Sequence, residues 1–260
     1  MTSPFIRLLP AALAALCLAA PAAAQAVPSA NVRVRLTYHS ITIRGDTTQI
    51  TLGVAVDSAS PESLFVLTID APTRVITVHE PPPRIEWAAS VAYRGRTVAA
   101  WAALTLVAPG DTTPTLWYSA LGLPGIDSAW AEGYYPPPIV QEDLADSSYS
   151  STPDVDPLHA RSVQFLTVGI EPMPPGATRA SLTARLDSLR GEACALGWIT
   201  SDTLCAALHE YLNGTPPAFD HFRAALNTAF TPGGPVSDEA YGLLRANLDY
   251  LLNLAPRPRQ

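Results

Sequence analysis

From Asn31 to about Glu171 the apolar residues recur at every second position. Val32, Val34 and Leu36 alternate with Arg33, Arg35 and Thr37, and Ile50, Leu52, Val54 and Val56 alternate with Thr51, Gly53, Ala55 and Asp57. That is the period of a strand with one buried face. Further strands are predicted over 64–69, 74–78, 84–87, 97–107, 115–120 and 162–168. Turn chemistry separates them, in Arg44-Gly45-Asp46, Ser60-Pro61-Glu62, Asp70-Ala71-Pro72, Arg94-Gly95-Arg96 and Pro109-Gly110-Asp111. Seven to nine short strands at this spacing predict an antiparallel, immunoglobulin-like β-sandwich, because two amphipathic sheets must bury their apolar faces on each other.

At Pro172 the period changes from two to between three and four. Leu182, Leu186, Leu189, Ala193 and Leu196 form one apolar stripe; Phe219, Phe222, Leu226 and Ala229 form another; Tyr241, Leu244, Leu248 and Leu251 form a third. A shorter helix is predicted over 202–212, carrying Leu204, Leu208 and Tyr211. Start signals stand at Thr200 or Ser201, at Thr215 before Pro216 in a first helical position, and at Ser237; Gly197 and Gly214 mark stops. Four short helices with brief loops predict an up-down helical bundle. The chain is therefore α+β and multidomain: a sandwich over 25–171, a Pro-rich linker over 172–177, a helical bundle over 178–254 and a tail over 255–260. Within the sandwich, residues 136–157 open on Pro136-Pro137-Pro138 and continue rich in Ser and Asp, which predicts a long exposed acidic loop.

Residues 1–24 read as a signal peptide. Arg7 supplies the positive start, Leu8 to Ala20 the small-apolar stretch, and Ala22-Ala23-Ala24 the small residues of a cleavage site. Pro10 and Pro21 leave the run too short to span a bilayer, and no later segment is long enough, so the expected product is exported and has no transmembrane segment. Leu16 before Cys17 is too large for the usual lipidation site. The 26 Pro and 15% charged residues rule out one large helical bundle, and the net charge of −7 leaves no basic stripe for phosphates, so nucleic acid is not an expected partner.

Export leaves two cysteines. A hairpin turning at 196–201 brings Cys194 and Cys205 opposite each other, which predicts a disulfide in an oxidising compartment; the alternative is two small buried residues. The catalytic motifs sought are absent: there is no Gly-x-Ser-x-Gly elbow, Walker loop or Gly-x-Gly-x-x-Gly. His209-Glu210 opens like a zinc-protease motif, but Asn213 occupies the place of its second His. Glu142, Asp143, Asp146, Asp154 and Asp156 lack calcium-loop spacing. No cofactor, metal or catalytic residue is assigned. The remaining candidates are aromatic: Trp117, Tyr118, Trp130, Tyr134 and Tyr135, where an exposed ring beside a polar group could stack on a sugar. Core packing is the competing account of the same residues.

The run LGWITSDTLCAALHEYLNG, then AFDHFRAALNTAF and GGPVSDEAYGLLRANLDYLL, resembles the C-terminal FIMAH helical module of secreted bacterial proteins over about 180–254. The resemblance implies an accessory unit for attachment or binding rather than catalysis. This copy departs from the usual pattern by its two Cys and by Thr231 to Pro235. The segment GLPGIDSAWAEG is similar to sandwich regions that accompany such tails. The expectation is thus a secreted, non-catalytic protein whose partner is a polysaccharide or an envelope protein. The alternatives are a secreted hydrolase acting through the sandwich loops and a structural assembly subunit.

Overall fold

A computed structural model describes residues 31–72, 75–81, 87–93, 96–134 and 162–254. The predicted signal peptide at 1–24, the acidic loop at 136–157, the tail at 255–260 and Tyr135 lie outside the described residues.

Among the described residues, nine strands precede four helices: β1 (Val34–Arg44), β2 (Thr47–Val56), β3 (Leu64–Asp70), β4 (Val75–Val78), β5 (Trp87–Tyr93), β6 (Arg96–Val107), β7 (Leu116–Leu121), β8 (Leu123–Gly133), β9 (Ser162–Glu171), α1 (Arg179–Ala195), α2 (Asp202–Asn213), α3 (Phe219–Ala229) and α4 (Asp238–Asn253). The strands form a four-stranded sheet, β1-β2-β7-β4, and a five-stranded sheet, β5-β6-β3-β8-β9, with antiparallel pairing throughout. Two antiparallel sheets packed face to face make an immunoglobulin-like sandwich. Of the strand predicted over 84–87, residues 84–86 lie outside the described residues, and Trp87 belongs to β5, which runs to Tyr93. β8 has no counterpart among the predicted strands. It lies between β3 and β9 and is buried on both faces at most positions, so its sequence lacks the alternation that marks a one-sided strand.

The interior forms where the two sheets face each other. Leu36, Ile50, Leu52, Val54 and Leu116 of the first sheet meet Leu67, Ile69, Trp101, Val168 and Ile170 of the second. Trp101 packs edge-on against Tyr118 at 5.9 Å and donates its indole N–H to the His79 carbonyl at 2.9 Å. The crossing from β7 into β8 is made at Gly122, whose φ of +133° is open only to glycine. A Cβ there would land on the Glu171 carbonyl.

Serines cap two of the helices as expected: Ser201 accepts from Leu204 N–H and Ser237 from Ala240 N–H. Thr178 and Ser181 add a reciprocal capping box to α1. The start predicted at Thr215-Pro216 is corrected: α3 begins at Phe219, after Ala218, which makes no side-chain cap. Residues 216–218 are instead tied back to α2, with Ala218 N–H bonded to the Tyr211 carbonyl at 2.7 Å. Cys194 and Cys205 form a disulfide across the α1–α2 turn, with Cα atoms 6.3 Å apart.

The helices have their own interior, built on Leu186, Leu189, Leu208, Phe222, Leu226, Leu244 and Leu248, and this interior is continuous with that of the sandwich. The join is α4. It carries a second buried stripe, Leu243, Ala246 and Asn247, beside the predicted one, and it packs on β1, β8 and β9. Among the described residues no helix is long and apolar enough to cross a membrane.

Candidate functional site

β1 is an edge strand, and its apolar pattern slips. Leu36 and Tyr38 pair with inward residues Val54 and Leu52; then His39 stands as a bulge, and Ile41 pairs with Ile50. The extra residue shifts the phase by one, so Ile41 and Ile43 return to the inner side while the strand bends. α4 runs beside this bend. Gly242 permits the approach, since a Cβ there would sit 3.0 Å from the Ile41 Cδ1 and against Tyr38. The helix cannot fill the curve of the bent strand, and a crevice of about 370 Å³ remains between β1 and α4. Its volume falls within the roughly 300–1,000 Å³ of small-ligand sites, which favour junctions between units.

Tyr38, Tyr241 and Tyr250 wall the crevice, Ile41 and Gly242 line its apolar part, and His39, Ser40 and Asn253 stand at its edges. The polar groups are already arranged. Arg245 Nε donates to Asp249 Oδ2 at 2.7 Å and its Nη1 to Asn227 Oδ1 at 2.9 Å, while the Tyr241 hydroxyl donates to the same Asn227 oxygen at 3.1 Å. Arg223 Nη2 holds the other Asp249 oxygen at 3.2 Å. The hydrogen bond to Asp249 raises the Arg245 pKa against the opposing effect of burial, so the guanidinium stays charged. Phe230 stacks on Tyr241 at 4.0 Å and fixes its ring plane. The Tyr38 hydroxyl is shared with Thr167 and accepts from Val168 N–H at 3.0 Å, and burial pushes its pKa far up. It therefore stays a neutral tie between the two sheets.

Chemically, the crevice presents ring faces, one oriented ion pair and amide and hydroxyl groups. Such a set binds hydroxyl-bearing molecules by stacking and by charge-assisted hydrogen bonds. Among its described residues, no Ser or Thr hydroxyl is hydrogen-bonded to a His, the pairing that would activate a nucleophile.

The predicted aromatic residues are not brought together. Trp117 stands half-buried on the outer face of the first sheet, stacked on His79 at 4.9 Å. Tyr118 is fully buried in the interior, where its hydroxyl has no partner and burial raises its pKa well above the ordinary value. Trp130 is 2% exposed on the second sheet. Neither Tyr118 nor Trp130 can meet a ligand: the alternation that turns one neighbour outward turns Tyr118 inward, and β8 is covered on both faces. Tyr134 is 43% exposed and packs edge-on against Phe65. Of the histidines on the helices, His221 stacks on Tyr211, and His209 Nδ1 lies 3.0 Å from the Asp187 carboxylate.

The crevice residues Tyr38, Arg245, Asp249 and Tyr250 were not among the predicted candidates. Two signals were present. The apolar step from Tyr38 to Ile41 is three rather than two, and Arg245 stands four residues before Asp249 on a helix.

No protein-family model and no curated protein matches the chain. Among solved structures it is similar to an uncharacterised protein from Nocardia farcinica, described as having an immunoglobulin-like fold, at 16% identity and a TM-score of 0.29, over 51% of this chain and 95% of that one.

Proposed function

We propose that this chain is an exported, non-catalytic binding protein that holds a saccharide in the crevice between β1 and α4. The observation that carries the reading is the set of three tyrosines beside a pre-formed Arg245–Asp249 pair at the junction of sandwich and helices. A ring face paired with fixed polar groups suits a molecule that is apolar on its faces and hydroxylated on its edges. Pre-formed partners also reduce the ordering cost of binding. Export is supported by the signal-like start of the sequence and fits the disulfide. The resemblance of the helices to an accessory module points to attachment rather than turnover.

Calorimetric titration with a panel of neutral and acidic oligosaccharides tests the reading. At least one is bound, and Asn253→Trp, which plugs the crevice from an exposed position at the end of α4, weakens it by about tenfold or more. Equal binding by wild type and variant, release of a cleaved product, or no binding at all overturns it.

A further inference from the structure

We infer that the ligand is a neutral polysaccharide, one stretch of which occupies the crevice while the chain passes over the edge strand β1 and continues across the outer face of the first sheet. This rests on the crevice reading above and gives its substrate class. Ser40 and Thr42 line the crevice. By register Ser40 lies opposite Thr51, and Thr51 opposite Trp117. Directly paired residues share a face of the sheet, so the three form one row across β1, β2 and β7. The row ends on the ring of His79, stacked on Trp117 with 16° between the planes. Beside it, Thr42 faces Gln49. These side chains are exposed or half-buried, because their neighbours in sequence, Ile41, Ile50, Leu52, Leu116 and Tyr118, point the other way.

Three strand spacings of about 4.8 Å make the row roughly 14 Å long before the crevice itself is added. A single sugar ring cannot span that distance, and a chain of them can. The row holds hydroxyls and an amide at the crevice end and an aromatic pair at the far end, and it carries no carboxylate. Arg35 and Arg44 stand at its margins on β1, and Glu80 follows His79. With a net charge of −7 on the whole protein, the long-range field disfavours polyanions, and an uncharged track suits an uncharged polymer.

Length-sorted ladders of neutral cello-, xylo-, manno- and chito-oligosaccharides, titrated into the full chain with polygalacturonate and duplex DNA alongside, test this. Affinity for the bound series rises with length and then levels off. Trp117→Ala and Thr51→Arg, both on the outer face, weaken the longest chains by about tenfold and leave the shortest bound member unchanged. Near-UV circular dichroism checks that both variants keep the packed core. Equal affinity for short and long chains, or long-chain binding untouched in both variants, overturns the inference and leaves the crevice reading standing. Loss of long-chain binding in Trp117→Ala with none in Asn253→Trp overturns the crevice reading and, with it, the continuous track. Preference for polygalacturonate or DNA overturns the neutral class.

Discussion

The helical part of the molecule meets its surroundings in two ways. On one side, α1 and α2 are closed against each other by the Cys194–Cys205 bond and by Asp187, which accepts from Arg190 Nε at 2.7 Å and from the Asn213 amide at 3.1 Å and lies against His209. On the other, α4 meets β1 through Gly242 and Ala246, which are small, and is tied to β8 and α1 by a few polar groups: Asn247 donates to the Pro124 carbonyl at 3.0 Å and accepts from Arg185, which also reaches Glu171 of β9 at 2.8 Å. The first seam is covalent and local, and every polar group named in it is engaged. The second joins residues far apart in the chain and leaves a crevice. Dense packing leaves no room for a ligand, and of the two seams it is the one where a bent strand and a straight helix do not match that leaves a cavity.

The sharpest way to break the second seam is at Gly122. Gly122→Ala demands a left-handed backbone of a residue with a Cβ and drives that atom into the Glu171 carbonyl, next to the Arg185 tie. It costs about 3–5 kcal/mol, read as a drop in the urea midpoint of the whole chain. The first seam is tested by Cys194→Ser with Cys205→Ser. That pair loses about 3 kcal/mol on the chain-entropy view of a short loop. Hydrogen exchange then rises first in α1 and α2, while β1 and β2 keep their protection.

Arg185→Ala comes next, at about 2 kcal/mol, because it strips a partner from the 7%-exposed Asn247 and breaks the ion pair with Glu171. Faster exchange at α4 and at the start of β8, without change in α2, separates it from the cysteine variant. Two tyrosine hydroxyls sharpen the contrast further. Tyr38→Phe removes a satisfied hydroxyl and costs about 1 kcal/mol, whereas Tyr118→Phe removes an unpartnered one and adds up to about 1 kcal/mol. Thermal melts of the two variants move in opposite directions.

The smallest effect is an acid one. Burial works to raise the Asp187 pKa, but hydrogen bonds from His209, Arg190 and Asn213 outweigh it and hold the carboxyl below its ordinary 3.8. A folded value below the unfolded one gives stability that is complete above about pH 4 and is lost as pH falls through the folded value. Asp187→Asn removes this part of the acid sensitivity, measured as the change in melting temperature between pH 5 and pH 2.5. An unchanged acid slope would show that the carboxylate adds nothing to the first seam.

Much of the fold was legible because its rules are local. β2 alternates residue by residue, and the helical stripes step by three and four, so their buried positions follow from periodicity alone. β8 was hidden because a strand covered on both faces has no alternation to show. The candidate site was hidden for another reason. α4 was read from Tyr241, Leu244, Leu248 and Leu251, while its second buried stripe, Leu243, Ala246 and Asn247 with Gly242 beside it, holds a single large apolar residue and so shows no apolar period of its own. Among the aromatic candidates, sequence could say that Trp117 and Tyr118 face opposite ways, and only the sheet showed which of them faces water.

By itself, then, the sequence determined the periods, the sandwich-then-helices order and the cap at Ser237, and it narrowed the cap of α2 to Thr200 or Ser201 and pointed to the pairing of two cysteines eleven residues apart. Each of these depends on neighbours within a few turns of helix or one strand. Tertiary structure decided that α4 lies on the edge strand β1, that the slip at His39 opens a crevice there, and that Arg245 and Asp249 face it. Those facts rest on contacts between segments at opposite ends of the chain. A local pattern can state that a residue is to be buried, and it carries no record of what will bury it.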